Sequence, residues 1–331
     1  MASNSDTLVT VFGGSGFLGR NVVRALCKRD YRIRVAVRRP ELAGHLQPLG
    51  KVGQIHAVQA NLRYPASVKA AMRDSHVAIN LVGILTEGGA QTFNAVQAAG
   101  ADTVAAAAAA AGLRMVHVSA IGADENSASR YGRSKAAGEK AVLAAVPSAV
   151  ILRPSVVFGP EDDFTNRFAA LARVSPMLPL IGGGVTKLQP VYVGDVARAA
   201  AAAVDGNLEA GKVYELGGPE VMTLREAMQL TLRIVERKRK LVNLSATASY
   251  AVAGLTEVAS LLTLGRFPSA FTTTRDQVLL LDHDNVVSEA AIAEGRTLAG
   301  LGITAQGVEA IAPSYLWRYR KSGQYEPSQF A

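Results

Sequence analysis

The stretch Leu8-Val9-Thr10-Val11-Phe12-Gly13-Gly14-Ser15-Gly16-Phe17-Leu18-Gly19-Arg20 decides the fold. A short apolar, β-rich run enters a cluster of glycines directly, and a helix is expected from about Phe17, running on through 19–29. Glycines at this spacing allow a tight turn, close approach of the backbone to a pyrophosphate, and close packing of helix on strand. The helix N-terminus adds amide donors and positive potential. Gly13 to Gly19 therefore reads as a dinucleotide-binding turn, with Gly13, Ser15, Gly16, Phe17, Leu18, Gly19 and Arg20 as candidate contacts.

Further apolar runs at 33–37, 55–58, 77–82, 115–118 and 149–152 alternate with helical patterns at 66–73, 91–111 and 134–145. That alternation predicts an α/β fold, a doubly wound parallel Rossmann sheet with helices on both faces. The second strand ends in Arg38 and Arg39, about twenty residues after the last glycine, where an NAD site places an acid on the ribose 2′-hydroxyl. Guanidinium groups there suit a 2′-phosphate, with Arg20 assisting, so NADPH is expected rather than NADH. By position, Asn61 and Leu62 would flank the adenine, and Val82 and Gly83 the nicotinamide ribose.

Beyond Arg153-Pro154 the pattern loosens into prolines and the glycine triplet 182–184, before a strand at 189–193 and a helix capped by Asp195. A strand at 213–216 follows, and Thr223 with Glu226 forms a capping box. The expected domains are 1–155 with about 188–217 for the cofactor, and a smaller interleaved lobe of about 156–187 and 218–331. The stretch 244–264 reads as a buried or interfacial helix, because its Ser, Thr and Glu positions argue against a span. Among the 331 residues Cys27 is the only cysteine, which excludes an intrachain disulfide and suits a reducing compartment. Cys27 is placed mid-helix as a small core residue. The first residues show no signal-peptide pattern. The net charge of +8 lacks the aromatic interleaving and ligand spacings of nucleic-acid modules, so no nucleic-acid partner is expected, and no metal site either.

Ser119 ends a strand, and Tyr131 and Lys135 stand one helical turn apart on one face. A lysine beside a phenol favours phenolate, so a tyrosine pKa lowered from its ordinary ~10 is expected. The spacing resembles the Tyr-x-x-x-Lys of short-chain dehydrogenases/reductases. That resemblance implies Tyr131 as acid/base, Lys135 on the nicotinamide ribose, Ser119 orienting a substrate, and Pro154, Ser155 and Val156 passing the nicotinamide. Only twelve positions separate Ser119 from Tyr131, and Ala120 stands where a second hydroxyl is usual, so the alternative is that the pair only anchors the cofactor.

Five strings, "FGGSGFLGRNVV", "SRYGRSKAAGEKAV", "RPSVVFGPEDDFTNRFA", "QPVYVGDVARA" and "TTTRDQVLLLDHDNVVS", together resemble the bacterial form of the 39-kDa NAD(P)H-binding accessory subunits of respiratory complex I. The resemblance implies a non-catalytic subunit of NADH:quinone oxidoreductase holding NADPH for structure. It implies other complex subunits near the quinone site as partners, and a peripheral position on the cytoplasmic side of a bacterial inner membrane. Basic residues Arg237 to Lys240 and the tail Tyr315 to Lys321 are candidates for anionic lipid head groups. The alternative is a soluble NADPH-dependent reductase or nucleotide-sugar epimerase/dehydratase of the same superfamily.

Overall fold

The computed structural model describes residues 4–245 and 274–321, with 247–251, 253, 254, 256 and 323–325. Most of the expected helix at 244–264 lies outside the described residues. The chain divides into two compact units. Unit 1 comprises Met1–Pro154, Val193–Leu216 and Glu289–Ile303, and unit 2 comprises Ser155–Tyr192, Gly217–Ser288 and Thr304–Ala331. Two stretches fall on other sides of this division than the sequence suggested. Residues 188–192 go with unit 2, because their strand pairs there, and 289–303 go with unit 1, where Arg296 O accepts from Glu215 N.

Unit 1 is built on seven parallel strands. They are β1 (Leu8–Phe12), β2 (Arg32–Val37), β3 (Ile55–Gln59), β4 (Val77–Asn80), β5 (Arg114–Val118), β6 (Val150–Pro154) and, much later in the chain, a strand at Val213–Leu216. The order across the sheet is the late strand, then β6, β5, β4, β1, β2 and β3. The chain reverses direction of travel between β1 and β4, so their carboxyl ends flank a crevice suited to a ligand. β1 is buried at every position, as a central strand covered on both faces must be.

Helix α1 (Phe17–Cys27) packs with the later helix Val193–Asp205, and their ends are tied by Tyr31 and Arg29, which both reach Asp205. On the other face, α2 (Pro65–Ala71), α3 (Ala99–Ala110) and α4 (Arg130–Ala145) cover Phe12, Ala78, Met115 and Ile151. The alanine tract lets α3 approach α4 closely, and Gly138 completes the fit: a Cβ there would stand 2.4 Å from the Gln97 carbonyl oxygen. Gly112 ends α3 at φ +65°, the left-handed C′ position expected of it.

Several boundaries moved. The expected helix 91–111 is broken by a π-turn at Asn94–Ala98, and α4 starts at Arg130 because Ser129 caps it through the Gly132 amide. Asp195 lies inside the helix Val193–Asp205, paired with Arg198 at 2.6 Å, and so does not cap it. Cys27 is the last residue of α1, not a mid-helix residue, and is buried there.

In unit 2 the family-like string around Asp162 is a structural knot. The buried Asp162 carboxylate accepts from the amides of Gly159, Phe164 and Asn166 and from the hydroxyls of Thr165 and Tyr315. Arg318 closes the same loop through the Pro160 carbonyl and Asn166. Burial beside Asp162 pushes the Tyr315 phenol well up, so it remains a donor. The capping box of Thr223 and Glu226 is present as expected.

Candidate functional site

The Gly13 to Gly19 turn joins β1 to α1. Gly13 has φ +77°, and a Cβ on it would press on Val82 at 3.2 Å. A Cβ on Gly19 would stand 2.3 Å from the Gly13 carbonyl oxygen and 2.6 Å from Gly14, so helix and turn touch backbone to backbone. Gly16 caps α1 without any side-chain bond, which leaves the first amides of the helix directed at whatever lies in front of it. Ser15, Phe17, Leu18 and Arg20 are half-buried around this turn, and Arg20 Nε reaches back to the Gly16 carbonyl at 3.4 Å.

Arg38 and Arg39 follow β2, both exposed, and neither side chain has a hydrogen bond or ion pair among the described residues. Two unpartnered guanidinium groups at the end of β2 fit a phosphate on the adenine ribose. Asn61 is occupied locally: its Oδ1 accepts from Arg63 N and its backbone is tied to Ser67, an Asx turn that shapes the loop after β3. Leu62 packs under α3 against Gly100 and belongs to the core margin. Val82 lies over Gly13, and a Cβ on Gly83 would stand 3.3 Å from Lys135 Nζ, so the loop after β4 joins the two halves of the site.

Tyr131 and Lys135 share α4, with Nζ 5.8 Å from the phenol ring centroid and 3.4 Å from the Val118 carbonyl oxygen. Phe93 meets the tyrosine ring edge-on at 5.8 Å. The expected lowering of the tyrosine pKa is not found. Burial pushes the Tyr131 phenol up to about 12, and pushes Lys135 down to about 8 against the opposing pull of Glu139. Desolvation penalises both charged forms, and the lysine charge is too weakly expressed at the phenol to reverse it. Ser119 Oγ is buried and has no hydrogen-bond partner among the described residues, which fits a hydroxyl awaiting a ligand group.

Pro154 ends β6, and its carbonyl accepts from Ile121 N at 3.0 Å. Ser155 and Val156 belong to unit 2, where Asn285 takes both the Ser155 hydroxyl, at 2.6 Å, and the Val156 amide, at 3.1 Å. Their polar groups are thus engaged within their own unit.

Several residues that matter here carried no signal as isolated letters. Gln97, exposed to solvent by only 2%, bonds the Ile84 carbonyl and the Ser134 hydroxyl from the π-turn. Glu87 accepts from Phe93 N and pairs with Arg130 at 2.8 Å. Glu139 holds Arg153 through two bonds of 2.9 and 2.6 Å, with Glu215 at 3.7 Å, and so fixes α4 against the sheet. Asn80 and His117 pair at 3.2 Å, and the Lys135 charge acts on the imidazole.

Fold and site together define an extended Rossmann protein with a dinucleotide turn and a Tyr-x-x-x-Lys helix. The chain belongs to the NAD dependent epimerase/dehydratase family, whose model matches residues 9–217. It is similar to the mitochondrial NADH dehydrogenase [ubiquinone] 1 alpha subcomplex subunit 9 of Arabidopsis thaliana, at 35% identity over 97% of this chain and 80% of that one. It is also similar to the ceramide reductase of Caulobacter vibrioides, at 33% identity over 89% of this chain and 90% of that one. The resemblance to the complex I accessory subunits therefore holds along nearly the whole chain. Among solved structures, the NADPH-dependent quinone oxidoreductase QOR2 of Escherichia coli matches with a TM-score of 0.70 and 20% identity, covering 93% of this chain and 99% of that one, a likeness of fold.

Proposed function

We propose that the protein is a non-catalytic accessory subunit of respiratory complex I that holds NADPH as a structural cofactor. The non-catalytic part rests on the short span of twelve positions between Ser119 and Tyr131 and on Ala120 standing where a second hydroxyl is usual. Burial, which pushes the Tyr131 phenol upward, acts in the same direction. Membership of the complex rests on the similarity to the alpha subcomplex subunit 9 proteins.

The chain's own residues divide the binding work. The amides at the start of α1 and the Gly13 turn take the pyrophosphate, Arg38 and Arg39 the 2′-phosphate, and Lys135 the nicotinamide ribose. A ligand bound only by the native state adds about 4 kcal/mol at a thousandfold excess over its Kd. No described helix is long and apolar enough to cross a membrane. We place the subunit peripherally on the cytoplasmic face of a bacterial inner membrane, touching other complex subunits near the quinone site. Of the basic residues considered for anionic lipid, Arg237 and Arg239 are directed onto the Tyr319 and Ala172 carbonyls, Arg318 bonds the Pro160 carbonyl, and the buried Arg320 bonds the Ile234 carbonyl. Lys238 and Lys240, exposed beside Met177, and Lys321, exposed in the tail, remain the candidates for lipid head groups.

The similarity to a ceramide reductase, which spans 90% of that protein, favours a second reading as an NADPH-dependent reductase. One experiment separates them. The tagged protein is recovered from its host membranes in mild detergent and resolved on a native gel, and its nucleotide is extracted. Co-migration with NADH:quinone oxidoreductase activity and about one NADPH per copy is the expected result. A free species with exchangeable NADP(H), whose turnover of a carbonyl substrate is lost in Tyr131→Phe, would overturn it.

A further inference from the structure

Asn80 on β4 and His117 on β5 lie opposite each other, 1% and 2% exposed. The Val82 amide donates to Asn80 Oδ1 at 3.1 Å, which leaves the other end of the side chain, Nδ2, facing His117 Nδ1 at 3.2 Å. An amide nitrogen has only hydrogens to offer, so Nδ1 accepts, and a neutral ring that accepts at Nδ1 carries its proton on Nε2. Burial keeps the ring neutral by pressing its pKa down to about 3, with the Lys135 charge acting in the same direction. The Nε2–H is buried with no acceptor among the described residues. Position 119 falls on the same strand face two residues on, and its hydroxyl is likewise buried without a partner. Lys135, from α4, reaches the carbonyl oxygen of Val118, the residue between positions 117 and 119, at 3.4 Å. The other charged group acting on it is Glu139, which Arg153 holds.

We propose that Asn80 and His117 are positioning residues for Lys135: the amide locks the imidazole as its Nε2–H tautomer, and a ring that offers an N–H cannot accept a hydrogen bond from the ammonium. The lysine donors therefore stay on the Val118 carbonyl and on the ligand. The opposite tautomer would present a lone pair at Nε2 and draw the lysine onto the ring. The ring thus acts through Lys135 and need not touch the cofactor itself.

The test uses the full chain labelled with 15N-histidine, whose five histidines are resolved by NMR between pH 5 and 9. The expected signal for His117, assigned by its loss in His117→Gln, is a neutral Nε2–H ring that does not titrate in this range. An Nδ1–H ring, or a titration there, overturns the proposal, and this readout is taken on the unaltered chain once the signal is assigned. Asn80→Asp keeps the shape and the Val82 bond but replaces the donor by an acceptor. It is expected to move the ring proton to Nδ1, to shift the Lys135 titration upward, and to weaken NADPH about tenfold, since a tenfold change is about 1.4 kcal/mol, the size of one hydrogen bond. A moved proton with an unmoved lysine titration overturns the positioning role. The affinity arm alone rests on the cofactor reading: a wild-type chain that binds no NADPH would defeat that reading while the two titrations still decide this one.

Discussion

At the Gly13 to Gly19 turn the constraints are backbone against backbone, whereas at Tyr131 and Lys135 they are charges held behind a buried wall. The first end tolerates no added carbon at Gly19, because the nearest atoms, at 2.3 and 2.6 Å, belong to the main chain. The second end is set by desolvation, which pushes the phenol up to about 12 and the lysine down to about 8. The two ends are therefore held by different physics, backbone contact at one and desolvation at the other.

The sharpest way to break the contrast is Gly19→Ala. Main-chain atoms cannot rotate away as a side chain can, so the substitution is expected to cost about 3 kcal/mol or more of stability and to abolish NADPH binding, read by thermal melting and titration calorimetry. A variant that binds normally would show that the turn is not rigid. Next in size is Arg38→Ala. Loss of charge-assisted bonds worth about 1.5–3 kcal/mol is expected to weaken NADPH roughly 10- to 100-fold and to leave NADH unchanged. Equal loss for both nucleotides would move the 2′-phosphate assignment elsewhere.

The other end predicts a pH dependence. The folded-state pKa of Lys135, about 8, lies below its ordinary value of 10.5, so the folded ligand-free protein carries the burden of a buried cation below pH 8. That burden is relieved as pH rises from about 8 through 10.5, which is a gain in intrinsic stability from this group. NADPH affinity runs the other way, falling as pH rises through about 8 and the ammonium is lost. Lys135→Met is expected to flatten both curves, and a midpoint of affinity near 10 would contradict the burial effect. The smallest effect belongs to Tyr131→Phe, expected to change NADPH affinity and stability by less than about 0.5 kcal/mol. A larger loss would restore the tyrosine to a working role.

Much of the fold was legible because period and glycine spacing are local. The run 8–12, the turn and α1 could be placed to within two residues, since a central parallel strand must be continuously apolar and only glycine fits the turn. Boundaries failed where tertiary contacts intervene. Nothing in the alanine-rich letters 91–111 foretells the π-turn, from which Gln97 bonds Ile84 and Ser134. Of the candidate site residues, the turn glycines, Val82, Gly83, Tyr131 and Lys135 share one unit and one region, while Asn61 and Leu62 shape their own loop and Ser155 is engaged by Asn285.

The amino-acid sequence by itself determined the parallel sheet, the dinucleotide turn, the two arginines in place of an acid, and the pairing of Tyr131 with Lys135 on one helical face. All of these depend on periodicity or on spacing within a single element. Only the tertiary structure decided what those groups are chemically. The pKa of Tyr131 and Lys135, the tautomer of His117 and the orphaned hydroxyl of Ser119 follow from how much water the folded chain removes and which distant groups it brings near. Desolvation belongs to the packed interior, and no residue carries it alone.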